Sequence, residues 1–137
     1  MMIVKASEES EQGQMPTEQE LREMGQYNEQ LVNAGVMLAG EGLHASSKGA
    51  RVRFSNRKPV VVDGPFAESK ELIAGFWIID VASREEAIEW ARRVPFVDGE
   101  IELRQIAEAE DFGEAMTPDL LEQEKRLGAR MKANAAK

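Results

Sequence analysis

Two side chains stand out as able to move a proton near neutral pH. His44, in Leu43-His44-Ala45-Ser46, is the single histidine of the chain, and imidazole is the group whose ordinary pKa lies near neutrality. Asp63 precedes Gly64-Pro65-Phe66, and its carboxylate is a candidate general base or an orienter of His44. The plainer reading of Asp63 is a turn in which the carboxylate accepts backbone N–H bonds. Gly64 and Pro65 are then backbone devices, Phe66 is a core anchor, and His44 is an exposed or hydrogen-bonded loop residue. Glu41, between Gly40 and Gly42, is a carboxylate flanked by residues that permit close backbone approach; it either lines a cleft together with His44 and Asp63 or faces solvent. Lys70, within Glu68-Ser69-Lys70-Glu71, suits a substrate carboxylate or phosphate, or else a surface ion pair worth at most ~1 kcal/mol. Lys48, Arg51, Arg53, Arg57 and Lys58 follow one another with no acidic neighbour. That makes a positive lobe for a small anionic ligand or an acidic partner, or simply the solvated face of a hairpin. The candidates are therefore His44 and Asp63 for catalysis, and Glu41, Arg53, Phe66, Glu68 and Lys70 for ligand binding.

Composition narrows the chemistry. The 137 residues, 42% hydrophobic and 31% charged, are one domain's worth of globular chain. The absence of cysteine removes disulfides, thiol catalysis and thiolate metal sites, and one histidine argues against a zinc or non-haem iron site. A net charge of −8 argues against nonspecific nucleic-acid binding or docking on an anionic membrane. No Walker A sequence, dinucleotide glycine fingerprint, G-x-S-x-G elbow or HExxH is present, so no metal or cofactor is expected. No apolar run approaches the ~18 residues of a membrane span, no signal peptide is visible, and the cytoplasm is the expected compartment. Composition alone specifies no activity.

The elements that must position these residues are legible from periodicity. Met1–Ala6 reads as a strand and Ser7–Met15 as a loop. Thr17 and Glu20 stand in capping-box spacing and open a helix whose stripe is Leu21, Met24, Tyr27, Leu31 and Ala34, with Gly35 as its stop. Val36–Leu43 is a second strand. Ala50–Ser55 and Pro59–Val62 form a hairpin, and Gly75–Val81 is an aromatic and β-branched strand. Ser83 and Glu86 start another helix, with Ala87, Ile88, Ala91 and Val94 facing inward, ended by Pro95. Glu100–Ile106 alternates as a final strand. An acidic linker, Ala107–Ala115, then leads to a helix opened by Thr117-Pro118, with a thin seam of Leu120, Leu127 and Met131. The order β-α-β-(hairpin)-β-α-β predicts an α+β, ferredoxin-like βαββαβ domain over residues 1–106 with an inserted hairpin, followed by the linker and extra C-terminal helix of 107–137.

Two helices cover one face of such a sheet, yet Gly75–Val81 is apolar on both: Phe76 and Ile78 point one way, Trp77, Ile79 and Val81 the other. Val36–Ala39 behaves alike. A strand apolar on both faces needs cover on both. The C-terminal helix has too few apolar anchors for a whole sheet face, so the pattern favours a homodimer, face to face.

One stretch carries a resemblance. Asp63-Gly64-Pro65-Phe66-Ala67-Glu68-Ser69-Lys70-Glu71 resembles the DGPF (DGPFAETKE) signature of the YCII-related domain family, with serine in place of the usual threonine. Ala39–Leu43, Gly75–Val81, Glu85–Arg92 and Glu100–Ile106 support it, so the likeness spans roughly residues 1–106. The resemblance implies a dimeric α+β-barrel of two ferredoxin-like protomers. It also implies a family largely of unknown function, with one enzyme-like branch in which a first-helix histidine and an aspartate meet near the dimer cleft. Here the first helix has no histidine, and His44 follows the second strand instead. Relatives with this signature are often encoded beside extracytoplasmic-function sigma factors, which implies a regulatory setting. Two functions follow as expectations: a dimeric small-ligand-binding or regulatory module, or a cofactor-free enzyme using His44 and Asp63 as an acid–base pair.

Overall fold

The computed structural model of the chain describes residues 1–68 and 71–137. They fall into two units, Met1–Arg104 and Gln105–Lys137. The first is a mixed α+β unit whose main sheet has the strand order β2-β5-β1-β6, with β1 Met2–Lys5, β2 Met37–Gly42, β5 Ile73–Ile79 and β6 Ile101–Leu103. Every neighbouring pair is antiparallel, so β1 runs parallel to β2 and β5 parallel to β6. Each of these parallel pairs needs a crossover longer than a hairpin. The connections hold helices α2, Glu18–Asn33, and α3, Arg84–Arg92.

Local chemistry explains where the helices start. Thr17 Oγ1 accepts the Glu20 N–H at 3.1 Å while Glu20 returns a carboxylate oxygen to the Thr17 N–H at 2.9 Å. Gly35, at φ 73°, provides the left-handed residue after the last turn. Ser83 Oγ accepts the Glu86 N–H, but Glu86 reaches back to the N–H of Ala82, one residue beyond the box.

The core lies between these helices and one sheet face: Met2, Tyr27, Leu31, Val36, Trp77, Trp90 and Val94, edged by Val4, Met24, Met37, Ile79, Ile101 and Leu103. Tyr27 meets Trp77 and Trp90 edge-on, at centroid distances of 5.6 and 6.4 Å, the geometry ring quadrupoles favour. Trp77 is thus roofed by its own chain, at 5% exposure. The apolar residues left on the alternate pleat are Ile3, Phe76 and Ile78, each part-exposed. On β2 a bulge between Met37 and Ala39 turns Leu38 out to solvent.

Several elements differ from the periodicity reading. Ser7–Met15 contains a short helix, α1 Glu8–Glu11, because Ser7 and Ser10 cap each other reciprocally. Leu21 in α2 and Ala34 at its C-cap are exposed; only Tyr27 and Leu31 of the expected stripe are fully buried. In α3 the buried anchor is Trp90, with Ala87, Ile88 and Ala91 only partly covered. The last strand stops at Leu103.

The hairpin, β3 Ala50–Ser55 and β4 Lys58–Asp63, forms a separate two-stranded sheet. Its turn residues Asn56 and Arg57 have φ of 50° and 65°, the pair of positive angles that matches strand twist in a two-residue loop. Val52 faces Val61 and Phe54 faces Pro59 on one face, while Arg51 and Arg53 share the other with Val62 and Val60. Phe54 and Val61 stay 72% and 66% exposed.

The second unit holds a 3-10 segment, Ala109–Ala115, where the acidic linker was expected, and α4, Pro118–Ala135. In the former the Asp111 carboxylate accepts the Glu108 N–H at 2.8 Å; Thr117 caps α4, with Pro118 at its first turn. Leu120, Leu127 and Met131 are exposed along α4. Among the described residues no helix is long and apolar enough to cross a membrane.

Candidate functional site

A cleft of about 260 Å³ opens between α2 and the sheet. Strand register explains it. Gly40 pairs with Trp77 and Gly42 with Gly75, so β2 and β5 present hydrogen where other residues would present side chains. Met24 and Asn28 of α2 form one wall, and Val4, Trp77 and Phe96 close the rest. Glu41 and Phe76 also border it, although alternation sets their side chains on the other pleat. A Cβ on Gly75 would lie 2.8 Å from the Glu41 carbonyl oxygen, so the two strands approach too closely there for any side chain.

The indole N–H of Trp77 donates to Asn28 Oδ1 at 2.8 Å. Indole can only donate, which fixes the amide's orientation and turns the Asn28 NH₂ group away from Trp77. Behind this pair, Tyr27 donates its hydroxyl to the Trp90 carbonyl at 2.7 Å. Burial pushes the Tyr27 phenol up to about 12, against the opposing pull of the nearby Arg93 charge. Arg93 lies 4.2 Å over the Trp90 ring and donates to Gln30 at 2.9 Å. Trp77 is therefore held from behind by a fully hydrogen-bonded aromatic group.

A second constellation surrounds the Asp63-Gly64-Pro65-Phe66 turn. The Glu11 carboxylate accepts the Ser46 N–H at 3.0 Å and the Ser46 hydroxyl at 2.5 Å. Ser46 Oγ in turn accepts the Phe66 N–H at 3.1 Å. Gly64 donates its N–H to Gly49 at 3.0 Å, and any Cβ on Gly64 would overlap the Ser46 carbonyl. Arg51 lies 3.9 Å over the Phe66 ring and pairs with Glu68 at 3.5 Å. These contacts fasten the base of the hairpin to α1 and to the short Ser46–Lys48 turn.

The residues singled out by type do not form one site. His44 and Asp63 are both exposed, and no hydrogen bond or ion pair joins them. Glu41 borders the cleft. Arg53 is exposed on the hairpin. Phe66 lies outside the core cluster, beneath Arg51, because the Ser46 bond holds its backbone at the hairpin base. Glu68 is the partner of Arg51. Lys70 and Ser69 lie outside the described residues. Periodicity missed Asn28 and Ser46. Asn28 carried a signal, being a polar residue four after Met24 and three before Leu31, on the buried stripe. Ser46 carried none, since its partners come from distant segments. Among the described residues no three His, Asp or Glu side chains converge as a metal-ligand set.

An antiparallel sheet backed by two crossover helices, with a cleft at its glycine-lined end, defines a small α+β domain. The family model for the YCII-related domain matches residues 1–110, and the chain belongs to that family. It is also similar to an uncharacterized protein of Rhizobium meliloti (strain 1021), at 34% identity over 93 residues, 66% of this chain and 75% of that relative.

Proposed function

We propose that the chain is a homodimeric module that binds a small molecule in the cleft beneath α2. The cleft carries this reading: apolar walls, one oriented amide, and a floor of glycines that present no side chain. This is the composition of small-ligand sites in general. The order β2-β5-β1-β6 with two crossovers supports a ferredoxin-like protomer. Ile3, Phe76 and Ile78 on the pleat without helices support a second protomer against that face, closing an α+β-barrel. A cytoplasmic regulatory setting linked to a sigma factor belongs to the same reading.

A thermal-shift screen of small organic compounds tests the binding, since a ligand at 100 times its Kd stabilises by roughly 2.7 kcal/mol. A screen in which no compound raises Tm contradicts it. Light scattering tests the assembly: twice 15.3 kDa is expected at micromolar concentration, and Phe76→Glu should halve it. A wild-type protein of single-chain mass refutes the dimer. Of the basic residues that suggested an anionic ligand, Arg51, Arg53, Arg57 and Lys58 belong to the hairpin and Lys48 to the short turn before it, and none of these five borders the cleft. Catalysis by an acid–base pair would be favoured if turnover of an identified ligand fell with His44→Ala and Asp63→Asn.

A further inference from the structure

The cleft's chemistry narrows its ligand. Its volume of about 260 Å³ falls just under the ~300–1,000 Å³ of sites for drug-sized molecules. A cavity of ~150 Å³ already holds benzene, so the space suits one ring with one substituent. Trp77, Phe96 and Met24 offer it apolar contact. Among the described residues no basic one lines the cleft, and the ionisable residue that borders it is an acid, Glu41, whose side chain alternation sets on the other pleat. A carboxylate or phosphate would shed water there without gaining a cation. What the cleft does offer is a donor. The Trp77 N–H occupies Asn28 Oδ1 at 2.8 Å, and among the described residues the Asn28 NH₂ group has no acceptor.

We infer that the cleft selects an uncharged single-ring compound bearing a hydrogen-bond acceptor, such as a carboxamide or ketone, over the matching carboxylate. The inference rests on the cleft being the binding site, and its test separates the two. Benzamide, benzoate and benzylamine are titrated by ligand-observed NMR at pH 7 against the wild type, Asn28→Asp and Gly42→Leu. Asn28→Asp keeps an oxygen for the Trp77 N–H but replaces the donor by a charged acceptor. Gly42→Leu fills the cleft, because a Cβ at Gly42 meets nothing within 4 Å and its backbone is not left-handed.

Benzamide should bind the wild type at least ~10-fold more tightly than benzoate, the equivalent of one well-made polar contact. Asn28→Asp should weaken benzamide ~10-fold and turn the preference toward benzylamine, while Gly42→Leu should abolish all binding. If benzoate equals benzamide, or Asn28→Asp leaves benzamide unchanged, the selectivity is refuted, and loss of binding in Gly42→Leu would still locate the site. Binding that survives Gly42→Leu refutes both. If no probe binds the wild type, the selectivity is refuted, and the binding reading is then decided by the broader thermal-shift screen.

Discussion

Removing the hydroxyl of Tyr27 tests the packing that fixes the rear of the cleft. Tyr27 is 2% exposed, and burial raises its phenol from 10.0 to about 12. It is the single tyrosine of the chain, so phenolate absorbance near 295 nm reports this group alone. Its proton is held more tightly in the folded state than in the unfolded one. The associated stability is therefore complete below pH 10 and is lost as pH rises from about 10 to about 12, an amount on the order of 2–3 kcal/mol. Tyr27→Phe removes this alkaline loss. At neutral pH the same variant gives up the 2.7 Å bond to the Trp90 carbonyl. That carbonyl keeps the Arg93 N–H at 3.1 Å, so the cost is about 1 kcal/mol and not the larger penalty of an orphaned buried acceptor. Urea unfolding from pH 7 to 12 should show the wild type more stable at pH 7, and the two curves crossing at high pH. The spectrophotometric midpoint should lie near 12 in the folded protein and near 10 in denaturant. A folded-state midpoint near 10, with circular dichroism still native, would refute the reasoning.

Three further outcomes are expected. Ser46→Ala loses the hydroxyl bonds to Glu11 and Phe66 and should cost about 1–2 kcal/mol in urea unfolding; no measurable cost would mean that the hairpin base is held otherwise. Gly64→Ala places a methyl group on the Ser46 carbonyl and should destabilise by at least ~1–3 kcal/mol, visible as a lower Tm. Arg93→Ala removes the charge that opposes the burial effect on Tyr27, so the 295 nm midpoint should move further up; a downward move would contradict the assignment.

Much of the frame was written in the order of residues. Capping pairs such as Thr17 and Glu20, a stop glycine at 35, and alternation in the strands act over a few positions, so their consequences are local and readable. The nine-residue signature also pointed to the family that the domain match shows. Alternation even assigned Phe76 and Trp77 to opposite pleats, although not which pleat the helices would cover. Chemistry by residue type, in contrast, pointed to His44 and Asp63, which the fold leaves exposed and unconnected. The cleft arises because Gly40, Gly42 and Gly75 from two distant strands meet under Asn28 from a helix. Which glycines lie opposite one another is set by register, and which amide oxygen is taken is set by an indole on another strand. Short-range steric and hydrogen-bonding rules made the elements from sequence alone; only tertiary packing, which brings together residues dozens of positions apart, made the site.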